Sequence, residues 1–138
     1  MARILMLTTQ FSRHGEPADP VHQLADAFVA QGHTVKVVVI PWQQAEQEVS
    51  TYRENDRLSV LRVPPLEPRG LGRIGSLLVR WTFSSFVAMR HARKFLAADD
   101  HFDLIYTSSP AVVLDFLIRW SLRRFKAKSY LYIVDFFP

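Results

Sequence analysis

Apolar residues fall along the chain in two alternating rhythms. Ile4 to Thr8 is a short continuous run, the pattern of a strand buried on both faces. A polar stretch follows, Thr9 to Asp19, with Gly15 and Pro17 inside it. Asp19-Pro20 then marks a helix start, because an Asp side chain accepts from free backbone N–H groups and Pro is preset for the first turn. Val21, Leu24, Ala25, Phe28 and Val29 recur at helical spacing, and Gly32 supplies the stop. Val35 to Ile40 is β-branched nearly throughout and predicts a second strand. A strand–helix–strand unit of this kind crosses over right-handed into a parallel pair.

Pro41 to Asp56 is polar and weakly patterned, which predicts a loop with room for a short helix. Leu58 to Val63 alternates and predicts a third, more exposed strand closed by Pro64-Pro65. Glu67 to Gly72 is a connector, and a long helix is expected from about Leu71 to Ala98. Phe102 to Thr107 predicts a fourth strand. Ser109-Pro110 is a second cap-and-proline start, for a helix to about Lys126 that is apolar nearly all round from Val112 to Phe125 and so buried, Trp120 included. Tyr130 to Val134 predicts a fifth strand. Strands alternating with helices mean a three-layer α/β/α Rossmann-like domain with a mainly parallel sheet. In such folds ligands bind at the carboxyl ends of the strands. Three segments qualify by position: Gln10 to Glu16, Thr107 to Ser109, and Asp135 onward.

Composition narrows the chemistry. With 138 residues, 49% hydrophobic and 22% charged, the chain has the makings of one globular core. It holds no cysteine, so disulfides, thiolate metal sites and cysteine nucleophiles are excluded. No run approaches the roughly 20 apolar residues of a spanning helix, and no signal peptide is recognisable, which makes the cytoplasm the expected compartment. There is no GxGxxG, no GxxxxGK[ST], no GxSxG and no HExxH. The five histidines, His14, His22, His33, His91 and His101, show no metal-ligand spacing. Neither metal nor cofactor is expected.

Four segments resemble the N-terminal domain of GT-B glycosyltransferases of family 4. Arg3-Ile4-Leu5-Met6-Leu7 with Gln10-Phe11 is similar to that family's first strand and loop. Leu24-Ala25-Asp26-Ala27-Phe28 with Gln31-Gly32-His33-Thr34-Val35-Lys36-Val37 resembles its "La-L, xGH-x-V-x-V" signature. Phe102-Asp103-Leu104-Ile105-Tyr106-Thr107-Ser108-Ser109-Pro110 resembles "yDvIhthsp", and Val134-Asp135-Phe136-Phe137-Pro138 resembles "xDxxP". One departure is the first loop, where many members carry Gly-Gly and this chain has Gly15 followed by Glu16-Pro17. The resemblance implies the acceptor half of a GT-B fold over residues 1–138, incomplete at its C-terminal end. It also implies a lipid-linked or cell-surface glycan acceptor, and a nucleotide-sugar donor bound by a domain outside this sequence. It places acceptor contacts on Gln10, Ser12, Arg13, His14, Gly15, Glu16, Thr107 and Ser108. Asp135, a carboxylate at a strand end, is the candidate general base, with anchoring of the following turn as the other reading.

Charge adds one more feature. Residues 1–68 carry 6 basic and 8 acidic side chains, residues 69–98 carry 6 basic and no acidic ones, and residues 99–138 carry 5 of each. On a helical projection Arg69, Arg73, Arg80, Arg90, His91 and Lys94 gather on one face, with Ile74, Leu78, Trp81, Met89, Ala92 and Leu96 opposite. Two readings fit: a solvated face of a packed helix, or docking on an anionic membrane surface through Arg69, Arg73, Arg80, Arg90 and Lys94. The second places the protein peripherally on the inner face of the plasma membrane. A non-catalytic membrane-binding module recruiting a separate transferase subunit is the alternative function. No nucleic-acid motif accompanies the charge, so nucleic acid is not an expected partner.

Overall fold

The computed structural model describes residues 1–13, 15–41, 47–108 and 111–133. Along them run β1 (Arg3–Thr8), α1 (Pro20–Ala30), β2 (Thr34–Val39), β3 (Ser50–Asn55), β4 (Leu58–Arg62), α2 (Gly72–Phe95), β5 (Leu104–Ser108), α3 (Asp115–Phe125) and β6 (Lys128–Tyr132). A 3₁₀ turn, Ala111–Leu114, leads into α3. The six strands form one sheet in the order β3-β4-β2-β1-β5-β6. Every pairing is parallel except β3 with β4. The expected α/β architecture with a mainly parallel sheet is therefore the one adopted.

Period-two alternation divides the strands between two cores. Leu5, Leu7, Val38, Ile40, Leu61, Val63 and Ile105 face α2 and α3, where Ala88, Met89, Ala92, Leu96, Leu114, Leu117 and Phe125 meet them. Ile4, Met6, Val35, Val37, Val39, Leu58, Val60 and Tyr106 face α1 and its Val21 and Ala25. One face thus carries two helices and the other carries one. On the thinner side, α1 and the β5–β6 strands leave a groove of about 480 Å³ between Leu24 and Phe28 on one wall and Leu104, Tyr106, Tyr130 and Tyr132 on the other.

The start of α1 is the one the sequence predicts. Asp19 accepts the His22 N–H at 2.8 Å, and Pro20 occupies the first turn. Gly32, at φ +88°, closes the helix with its N–H on the Val29 carbonyl. Elsewhere the structure corrects the expectations. Residues 50–55 are not loop but β3, a polar edge strand with a bulge between Arg53 and Asn55. Because β3 covers its outer edge, β4 is buried rather than exposed. The strand expected at Tyr130–Val134 begins two residues earlier, and all five residues of β6 are exposed. In α3, Phe116 is 46% exposed and Trp120 lies partly buried at the core margin, so this helix is one-sided. The Ser109-Pro110 start lies outside the described residues. An N–H of the first turn of α3, that of Leu117, is instead taken by Ser85 Oγ from α2, at 2.9 Å.

Candidate functional site

Strand order reverses between β1 and β5: the chain leaves β1 toward β2 on one side and returns through α2 to β5 on the other. The carboxyl ends of the strands at such a reversal are the usual ligand position in open α/β sheets. Thr8 and Ser108 meet there, Oγ1 to Oγ at 2.7 Å. Thr8 Oγ1 also exchanges hydrogen bonds with the backbone of Gln10, accepting its N–H at 3.1 Å and lying 2.8 Å from its carbonyl oxygen. The Thr9 hydroxyl is buried and has no hydrogen-bond partner among the described residues.

The expected site residues divide into two groups. Gln10, Arg13, Gly15 and Glu16 are exposed on the lip of this end of the sheet. Glu16 accepts the Arg13 N–H at 2.9 Å, and the Glu16 N–H returns to the Arg13 carbonyl at 3.0 Å, closing a tight turn. Gly15 stands in that turn at φ +87°, and a Cβ there would meet nothing within 4 Å, so backbone conformation is what requires glycine. Ser12, Thr107 and Ser108 are buried. His14 and Asp135 lie outside the described residues. Behind the lip, Arg62 is 2% exposed and donates from Nη1 to the Phe11 carbonyl at 2.6 Å, tying the first loop to β4.

A second constellation adjoins this loop. Ser12 Oγ accepts the Asp19 N–H at 2.8 Å and lies 3.1 Å from His22 Nδ1. His22 Nε2 is 2.9 Å from Glu54 Oε2 and 4.0 Å from Asp26 Oδ2. The Phe11 ring stacks on the imidazole at 4.3 Å and 17°, fixing its plane. The Ser12 position was anticipated; His22, Asp26 and Glu54 were not. His22 and Asp26 stand four apart on α1, a visible spacing, but Glu54 comes from a strand the sequence hides as loop.

The basic helix shows the largest departure from expectation. Met89, Ala92 and Leu96 are buried as predicted, whereas Ile74 (76% exposed), Leu78 (56%) and Trp81 (41%) are not. None of residues 72–83 is buried. This first half of α2 overhangs the sheet, and Leu77, Phe83 and Phe86 are exposed with it. Arg69, Arg73, Arg90 and Lys94 are exposed, while Arg80 is mostly covered and lies 3.8 Å from Glu67. Arg90, His91 and Lys94 line a groove of about 320 Å³ with Val87. Among the described residues no helix is long and apolar enough to cross a membrane.

No protein-family model matches the chain, and no curated protein matches it. Among solved structures, the C-terminal domain of PF1911 hydrogenase from Pyrococcus furiosus shares its architecture. The TM-score is 0.57 over 95% of this chain and 91% of that one, at 18% identity. The chain is a Rossmann-like α/β domain. At that identity the likeness concerns the fold alone.

These findings overturn the expected membership of glycosyltransferase family 4. With it go the role as acceptor half of a sugar transferase acting on a lipid-linked or cell-surface glycan and the transferase-recruiting alternative. The segments that carried the resemblance have tasks that belong to the Rossmann-like domain itself. Gly32 ends α1, and His33 Nδ1 accepts the Ala2 N–H at 3.1 Å, pinning the start of β1. Asp103 does the same for the Arg3 N–H at 2.7 Å. Val35 and Val37 fill the core under α1. Residues 134–138 lie outside the described residues. Such punctuation serves any parallel sheet, whatever it binds.

Proposed function

We propose that this Rossmann-like domain attaches peripherally to an anionic lipid surface through the overhanging first half of α2. The observation that carries the reading is the coincidence of two features on one helix. Ile74, Leu78 and Trp81 are exposed although they continue the stripe that the second half buries. Six basic and no acidic residues lie between positions 69 and 98. An exposed apolar stripe alone is a sticky surface; with cations on the opposite face the helix has the make-up of one that lies at the boundary between lipid tails and anionic headgroups. Each basic residue near such a surface contributes about 1 kcal/mol. Arg69 and Arg73 supply the polar face of the overhang, opposite the stripe, and the groove of Arg90, His91 and Lys94 continues that polar face along the helix. Arg80, turned to Glu67, serves to hold the connector against the helix.

The test is co-sedimentation of the purified chain with vesicles of phosphatidylcholine alone and with phosphatidylglycerol added. Binding is expected only with the anionic lipid, and to weaken about tenfold or more when Ile74, Leu78 and Trp81 are all changed to Ser. All three are exposed, so folding is preserved. Equal binding by the triple variant would overturn the reading. So would a chain that ignores vesicles but self-associates through the same three residues.

A further inference from the structure

We infer that His22, Asp26 and Glu54 form a binding site for a divalent transition-metal ion of the zinc class. One ligand atom from each lies within 4.8 Å of the others. A tetrahedral zinc ion with bonds of about 2.0–2.1 Å holds its ligand atoms roughly 3.3 Å apart. The observed separations of 2.9 and 4.0 Å from His22 Nε2 bracket that value, so small side-chain movements close the site. One imidazole and two carboxylates suit zinc or manganese better than calcium or magnesium, which favour oxygen donors alone.

An independent observation points to a missing ligand. The Glu54 side chain is 8% exposed, yet its Oε1 atom is buried and has no hydrogen-bond partner among the described residues. A carboxylate held that deep with one oxygen unmatched is costly unless something charged meets it. Alternation along β3 supplies this geometry: Tyr52 packs on the core under α1, and Glu54, two residues on, shares its face. Residues 53 and 55 pair with β4 and residue 54 is the extra one. From the face shared with Tyr52 the Glu54 carboxylate reaches His22 on α1.

The surroundings also fit. A metal on Nε2 requires the proton on Nδ1, and Ser12 can accept it. Its oxygen has two lone pairs, one already receiving the Asp19 N–H. In the metal-free tautomer the same hydroxyl donates to Nδ1 instead, leaving Nε2–H for Glu54. Asp26, 54% exposed, leaves an entry path and room for a water ligand. The site lies on the α1 side of the sheet, opposite α2, and is independent of the lipid reading.

The experiment is calorimetric titration of Zn²⁺ into the chelator-treated full chain, with Asp26→Asn and Glu54→Gln alongside. A saturable isotherm with one ion per chain is expected. It should weaken at least tenfold in Asp26→Asn, whose exposed position leaves the fold intact, and vanish in Glu54→Gln. Vesicle binding by both variants should be unchanged. Absence of saturable binding at millimolar Zn²⁺ would overturn the inference. Binding of normal strength in both variants would also overturn it, by placing the ion on other residues.

Discussion

From Ser84 onward α2 buries Ser84, Ser85, Ala88, Met89 and Ala92 against the sheet and α3. In the residues before it, Ile74, Leu78 and Trp81 occupy the same side of the same helix and are exposed. The two halves share periodicity, charge and handedness. They differ in what lies beneath them. An apolar stripe therefore reports that a helix has something to bury, and its length does not report where the protein's own core stops. In α2 the core stops at two adjacent serines. Ser84 Oγ accepts the Leu66 N–H at 2.9 Å, and Ser85 Oγ accepts the Leu117 N–H at the same distance.

Substitution should separate the halves most strongly at their apolar positions. Leu96→Ala, at 2% exposure, is expected to cost about 2–4 kcal/mol in chemical denaturation. Leu78→Ala should stay within about 0.5 kcal/mol. Similar losses at both sites would show that the overhang is packed in solution and would dissolve the contrast. Next come the hydroxyls. Ser85→Ala strands a buried N–H of α3 and should cost about 1–3 kcal/mol. Thr82→Ala removes only an exposed bond to the Leu78 carbonyl and should be nearly neutral in the same assay.

The smallest effect extends the contrast to the other face, where the Tyr106 ring is buried beside the open groove. Burial raises its pKa above the ordinary 10.0, and Tyr132 and Tyr130 add to the rise. The folded state then keeps a proton that the unfolded chain releases, so stability should fall as pH climbs beyond 10. Tyr106→Phe should flatten that alkaline decline. An unchanged slope would mean that another group governs it.

These contrasts show which parts of the molecule were legible. Short runs that are apolar or β-branched nearly throughout announce central strands because both of their faces must be apolar, and Ile4–Thr8 and Val35–Ile40 were readable on that ground. The Asp19-Pro20 start was readable because capping is local chemistry. By contrast, Ser50 to Asn55 is an edge strand half-covered on one side at most, so its pattern is polar and resembles a loop. Missing β3 concealed Glu54, and without Glu54 the pair His22 and Asp26 had no third member. The overhang was hidden for a different reason: a helical projection shows a face and carries no information about its counterpart. The family resemblance failed because Gly32, His33 and Asp103 are conditions for assembling a parallel sheet, shared across proteins of unrelated activity.

The serine pair also orders events in time. Ser85 lies 32 positions before Leu117, and Ser84 lies 18 after Leu66. Neither amide can find its hydroxyl until a long loop has closed, and the entropy of that closure is spent before the bond rewards it. The first turn of α3 gains its bond to Ser85 only once α2 lies against the sheet. That turn thus draws one of its bonds from a distant helix. Lifting the second half of α2 would break the bond to the connector at Leu66 and the bond to the start of α3 together, which couples the three elements.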